Sequence, residues 1–202
     1  VHCIDECRDD CRYYDRTGKK ILIIKLGAIG DVIRTTPLLR KLKEVEPAAE
    51  VWWLTHTPDV IPAGVDRILT FTAQNVELLH AVHFDVIYTL DKDREAAALG
   101  ARLSADVKKG FTLTGGVCTP ADAAAEGKYL TGVFDDLSKL NRKSYQQETF
   151  EICGFQFSGE EYIMPAIDGY RWKLPQKKTI VGLNTGCGGR WTSRLWPETS
   201  WV

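Results

Sequence analysis

Ile21-Leu-Ile-Ile-Lys-Leu-Gly-Ala-Ile-Gly-Asp-Val-Ile-Arg-Thr-Thr-Pro37 is the stretch that decides how this chain is read. Its apolar opening, Ile21–Ile24, has the look of a strand buried on both faces of a parallel sheet. Val32 to Lys43 then carries apolar residues at helical spacing. Between them, Gly27 and Gly30 let the backbone turn and come close to a ligand. Asp31 is left at the mouth of the helix, where strand–helix units of α/β sheets place their chemistry. The theme returns near the far end in Gly182-Leu-Asn-Thr-Gly-Cys-Gly-Gly-Arg-Trp-Thr-Ser-Arg-Leu-Trp-Pro197.

Outward from that stretch, strand and helix alternate. Strands are expected at 21–26, 50–55, 66–71, 85–90 and 107–111. Helices are expected at 31–45, 74–80, the alanine-rich 94–103, 129–140 and 145–153, with Gly154 as a plausible residue closing the last. Residues 112–127 read as loop, punctuated by Gly115-Gly116 and Pro120. This pattern predicts a parallel sheet with helices on both faces. It gives four regions: a cysteine-rich N-terminal segment at 1–18, a Rossmann-like domain at 19–165, a linker at 166–178, and the start of a second domain at 179–202. That second domain opens with a strand at 179–183, and Pro197 sits where a helix would begin.

The bulk numbers suit such a chain. It has 202 residues, 44% apolar and 26% charged, with a net charge of −1. Nothing here suggests a general nucleic-acid binder. No apolar run approaches the ~20 residues of a membrane span, and no secretion signal is visible. The chain starts at Val1 and stops at Val202 just after a helix-start signal, so both ends are read as cut. Six cysteines without a secretion signal fit a reduced, cytoplasmic setting better than a disulfide scaffold.

Two constellations could carry chemistry. Gly27-x-x-Gly30-Asp31 matches neither the dinucleotide fingerprint nor the P-loop. Asp31 either caps its helix or serves as a base, with the helix dipole favouring its ionised form. Thr185 to Arg194 combines glycines, hydroxyls, two arginines and a following helix start. That combination points to an anion site, most naturally for a diphosphate.

The Lys25-x-Gly-x-x-Gly-Asp-x-x-x-Thr-x-Pro37 pattern resembles the entry motif of family 9 glycosyltransferases, the ADP-heptose:lipopolysaccharide heptosyltransferases. Arg194-Leu-Trp-Pro197 resembles that family's nucleotide-sugar loop. The Asp85–Leu90 strand, the alanine-rich helix after it and Lys108-Lys109-Gly-Phe111 also sit as in the family. The resemblance covers residues 19–202, about the first half of a member. It implies an α/β protein of GT-B type, an N-terminal Rossmann-like acceptor-side domain followed by the start of a nucleotide-sugar domain. The activity implied is metal-independent, inverting transfer of a heptose or related sugar from an ADP-sugar to a lipopolysaccharide core acceptor. No cofactor is implied beyond that donor. The location implied is the cytoplasm, with peripheral contact at the cytoplasmic face of the inner membrane.

By the same resemblance Asp31 is the catalytic base, and Thr185, Gly186 and Arg194 bind the donor phosphates. Arg194 stands where characterised members usually have lysine; either neutralises a diphosphate, but arginine is a planar fork and lysine a point charge. Lys25, Gly27, Gly30, His56, Asp91 and Lys92 are acceptor-side candidates. Asp91-Lys92-Asp93-Arg94 replaces a Gln-Gly pair common in relatives. Its charges could bind a phosphorylated acceptor or satisfy one another as a surface cluster. The 202-residue piece alone is expected to be inactive, because the rest of the donor site would lie beyond Val202.

Cys3, Cys7 and Cys11 share one helical face if that segment is helical. With His2 they are weak candidates for zinc or an iron–sulfur cluster, though unliganded thiols are the simpler reading and no metal is assigned. Cys118, Cys153 and Cys187 read as core or loop residues. The rival reading of the whole is a non-catalytic nucleotide-sugar or phosphosugar-binding protein with a metal-bearing N-terminal module.

Overall fold

The computed structural model describes residues 18–165, 173–174, 177–182, 192 and 195–200. The chain falls into two compact units, Val1–Ala166 and Ile167–Val202. The first holds a six-stranded sheet: β1 (Lys20–Ile24), β2 (Glu50–Thr55), β3 (Arg67–Thr70), β4 (His83–Thr89), β5 (Ser104–Thr114) and β6 (Val117–Pro120). The order across the sheet is β3-β2-β1-β4-β5-β6. The first five strands run parallel and β6 returns antiparallel to β5. The helices are α1 (Ile29–Thr35), α2 (Pro37–Val45), α3 (Ala73–His80), α4 (Arg94–Arg102), α5 (Glu126–Val133), α6 (Asp135–Leu140) and α7 (Tyr145–Cys153).

Both faces of the central strands are covered, as an all-parallel arrangement requires. One face carries Ile21, Ile23, Trp53 and Tyr88 against Leu38 and Leu42 of α2 and Phe150 of α7. The other carries Leu22, Ile24, Trp52 and Ile87 against Leu79 of α3 and Ala96 and Leu99 of α4. Strand alternation sends the adjacent Trp52 and Trp53 to opposite cores. After α7 the chain turns back across the first face. Phe155, Phe157 and Ile163 pack there, and Ile163 N donates to Thr36 Oγ1 at 3.0 Å.

Four local expectations need correction. The helix expected at 31–45 begins at Ile29 and is two helices, split at Thr36. Pro37 has no N–H to offer the Ile33 carbonyl, so Thr36 N and Oγ1 donate to it instead, at 3.0 and 2.8 Å. The loop expected at 112–127 contains a hairpin, β5–β6. Gly115 and Gly116 sit at its tip with φ of 58° and 81°, the positive values a tight hairpin turn demands. The helix expected at 129–140 is α5 and α6, broken at extended Phe134. The Val133-Phe134 pair is poor at propagating a helix, while Asp135 and Asp136 favour a fresh N-terminus. Finally, residues 179–182 form no strand; among the described residues there is no neighbouring strand for them to pair with.

Candidate functional site

In an open α/β sheet, ligands settle outside the carboxyl ends of the strands where the strand order reverses. Here that point lies between β1 and β4, paired from Ile21↔Val86 to Ile24↔Thr89. The turn Lys25–Ala28 leaves β1 there, and Asp91-Lys92-Asp93 leaves β4. His56, which follows β2, is at the same edge; its N donates to Leu26 O at 2.9 Å.

Lys25 and Asp91 are both buried, at 3% and 6% exposure. Lys25 Nζ pairs with Asp91 Oδ1 and donates to Gly27 O at 2.6 Å. The second Asp91 oxygen accepts the Leu26 N–H, with the Gly27 N–H at 3.3 Å. The carboxylate therefore ties the end of β4 to the turn after β1. Among the described residues no buried side-chain polar atom lacks a partner, so this buried pair is fully satisfied. The two acceptor-side candidates are thus placed inside the turn, where their groups hold the backbone.

Asp31 lies at the rim of that turn. It is the third residue of α1, whose N-cap is Ala28, so its side chain does not cap the helix. It is half-buried and its carboxylate pairs with Arg34 one turn on. The Arg34 guanidinium lies over the Tyr145 ring, 4.2 Å from its centroid, and Lys128 Nζ lies 5.0 Å from the same centroid. Tyr145 opens α7. It is fixed there by a capping box in which Ser144 Oγ accepts from Gln147 N at 3.2 Å and Gln147 Oε1 accepts from Ser144 N at 2.7 Å. Burial raises the Tyr145 phenol pKa, against the pull of Lys25.

Gly27 and Gly30 take no left-handed conformation, so the turn does not need them for backbone freedom. A Cβ built on either would meet nothing within 4 Å. Their value at this edge is open space beside the backbone. The His56 side chain is exposed, with its ring 5.9 Å from that of Phe71.

Lys92 follows Asp91 in sequence but not in environment. It is exposed, and its ammonium lies 6.0 Å from the Phe111 centroid and against Gly132 of α5, where a Cβ would collide with it. Burial of its stem lowers the pKa, and Lys128 lowers it further by like-charge repulsion.

Thr185, Gly186 and Arg194 lie outside the described residues, as do Cys3, Cys7, Cys11 and Cys187. Pro197 precedes a single 3₁₀ turn, Glu198–Ser200. Cys118 is partly buried, and buried Cys153 has its thiol pKa pushed well up by desolvation; both are free thiols. No group of three potential metal ligands occurs among the described residues. No helix among them is long and apolar enough to cross a membrane.

No family model matches the chain, and neither does any curated protein. Several solved structures are similar to it. One is a family 9 glycosyl transferase from Veillonella parvula, at 18% identity, covering 45% of this chain and 30% of that one, with a TM-score of 0.39. Another is E. coli heptosyltransferase WaaC with ADP, at 17% identity, 74% and 50% coverage and a TM-score of 0.46. A third is WaaC with ADP-2-deoxy-2-fluoro heptose, at 18% identity, 71% and 51% coverage and a TM-score of 0.44. The chain spans from about a third to half of the length of these structures.

Sequence reading picked out Lys25, Asp31, Asp91 and Lys92 around this edge. It missed Arg34, Lys128, Tyr145 and Glu148. The signal for Arg34 was available, since residues three apart on a helix meet. Nothing in the sequence announces that Tyr145, more than a hundred residues downstream, lies against Arg34.

Proposed function

We propose that this chain is the acceptor-side part of an inverting glycosyltransferase, with Asp31 as its base. The observation that carries the reading is the contrast at one sheet edge. A buried Lys25–Asp91 pair fixes the turn, and directly after the turn a partly exposed carboxylate stands beside glycines that leave the backbone uncovered. The motif from Lys25 to Pro37 supplies the reaction class.

In this reading an acceptor hydroxyl attacks the anomeric carbon of a nucleotide-sugar. A carbon–oxygen bond forms, the bond to the diphosphate breaks, and the diphosphate leaves with the electron pair. The hydroxyl proton passes to Asp31. A positioned base of this kind contributes about 10²–10⁴ in rate. Residues 179–202 begin a second domain, in which Thr185 and Gly186 donate hydrogen bonds to the leaving diphosphate and Arg194 neutralises part of its charge. The donor is an ADP-sugar carrying a heptose or a related sugar, and transfer needs no metal. The acceptor is a lipopolysaccharide core, reached at the cytoplasmic face of the inner membrane.

Asp31→Asn in the complete gene product tests this. The amide keeps the size and can still meet Arg34, but it cannot take a proton. Transfer from an ADP-sugar should fall about 10²-fold or more while the melting temperature stays put. Transfer within a few-fold of the unsubstituted protein would remove Asp31 from the mechanism.

A further inference from the structure

Around the carboxyl ends of β1 and β4 the charges are not all paired. Four cations gather there: Lys25, Arg34, Lys92 and Lys128. Three of the carboxylates at this edge are each taken, and a fourth, exposed Asp93, makes no ion pair among the described residues. Asp91 holds Lys25, Asp31 holds Arg34, and Glu148 holds Lys128. Glu148 is itself buried and also accepts from Asn141 Nδ2 at 2.9 Å. Lys92 is left over. Among the described residues its ammonium makes no ion pair with a carboxylate, and its near neighbours are the Phe111 ring and the Gly132 backbone. The charges it senses are the Lys128 and Lys25 ammoniums and, with opposite sign, the Glu148 carboxylate that Lys128 already holds.

An unpaired lysine on a surface ordinarily swings out into water, where its charge costs nothing. This one is drawn in against α5, at a position that any side chain at residue 132 would close. Lys128 lies one turn before Gly132 on the same helix face, so two ammoniums border one spot. Lys128 also lines a cavity of about 310 Å³ between α5, α6 and α7, with Leu137, Leu140 and Lys143 and the carboxylates Glu148 and Glu151, which are paired with Lys128 and Lys143. That volume is at the lower end of small-molecule sites. Through the Tyr145 ring Lys128 adjoins Arg34, the partner of Asp31.

We propose that Lys92, with Lys128 beside it, is an anion subsite that takes the phosphate or carboxylate substituent of an acceptor sugar. The assignment rests on the reading of this edge as the acceptor side. An anionic substituent would supply the carboxylate-like partner that the fold withholds from Lys92. An ammonium is a compact charge that serves phosphate and carboxylate alike. Asp91, its neighbour in sequence, has no part in the subsite, because both of its oxygens hold the β1 turn.

Binding to the 202-residue chain, followed by NMR titration, tests the assignment without any need for transfer. The probes are glucose, glucuronate and glucose 6-phosphate. We expect at least one of the two charged sugars to bind about fivefold or more tighter than glucose. A preference for the phosphate alone identifies that substituent, and equal gains identify charge as such. Lys92→Met should abolish the preference. Gly132→Ala should weaken it too, since the methyl displaces the ammonium while residue 132 itself is exposed. Lys139→Met, an exposed lysine of α6 paired only with Asp136 at 3.9 Å, should leave it intact. Lys128→Met is avoided, because it would strand buried Glu148. Equal affinity for all three sugars, or a preference that survives Lys92→Met, overturns the assignment. An anion preference in a protein whose complete gene product transfers nothing would sink the proposed activity and leave the subsite standing.

Discussion

Lys25–Asp91 and Arg34–Asp31 are both cation–carboxylate pairs beside one turn, yet they differ in kind. The first has side chains 4% and 8% exposed, the second 45% and 32%. The buried pair gives up hydration on both sides and recovers it through further bonds to backbone, from Leu26 N and Gly27 N to Asp91 and from Lys25 to Gly27 O. The exposed pair keeps water, and its arginine leans on Tyr145. One pair holds a shape. The other leaves a carboxylate partly open to solvent. Two pairs of the same opposite charges at one sheet edge thus differ in how much water they retain.

That contrast is broken most sharply at Asp91. Asp91→Ala leaves a buried ammonium and two backbone N–H groups without their acceptor. Stability to urea should fall by about 3–5 kcal/mol; a loss below about 1 kcal/mol would show that the pair does not hold the turn. Its pH signature is equally specific. Burial opposes the Lys25 charge, but Tyr145, Asp91 and Asp31 outweigh it and lift the pKa above the ordinary lysine value. The folded pKa therefore exceeds the unfolded value of about 10.4. The stabilisation is complete below that value and is lost as pH rises through the folded pKa. The double variant Lys25→Met with Asp91→Leu should lack this alkaline step.

Gly110 tests whether the neighbouring strand end is as unforgiving. It pairs with Thr89, two residues before Asp91, at φ 96°, and a Cβ there would run into the Thr89 carbonyl. Gly110→Ala should cost about 1–3 kcal/mol, read from the midpoint of thermal unfolding. Ser144→Ala asks less. It removes the cap that fixes the first turn of α7 beneath Tyr145 and should cost about 1 kcal/mol; no change would mean that packing alone places that ring. The smallest effect is expected at the exposed pair. Arg34→Gln should shift stability by no more than about 0.5 kcal/mol. A loss comparable to that of Asp91→Ala would erase the distinction between the two pairs.

Sequence patterning went far here because parallel strands buried on both faces are written as uninterrupted apolar runs. Ile21–Ile24 could be little else, and α7 was legible from Tyr145 to Gly154, which closes it at φ 84°. The hairpin at Gly115-Gly116 and the breaks at Thr36 and Phe134 were harder. There, local propensities are nearly balanced, and a single proline, glycine pair or acidic turn tips them. Lys25, Asp31, Asp91 and Lys92 could be named as a group from motif and position.

Chain order by itself determined the alternation of strand and helix, the turn after β1 and the carboxylate that follows it. It could not say which of four charges would be buried, since Asp91 and Lys92 are adjacent in sequence and read alike. Only the tertiary structure separated them, because burial depends on what packs above. Asp91 points into the turn after β1, whereas Lys92 meets Phe111 and Gly132, residues brought from β5 and α5. Whether a charge is buried in the fold or left at its surface is set by its water and its partners, and both arrive from distant parts of the chain.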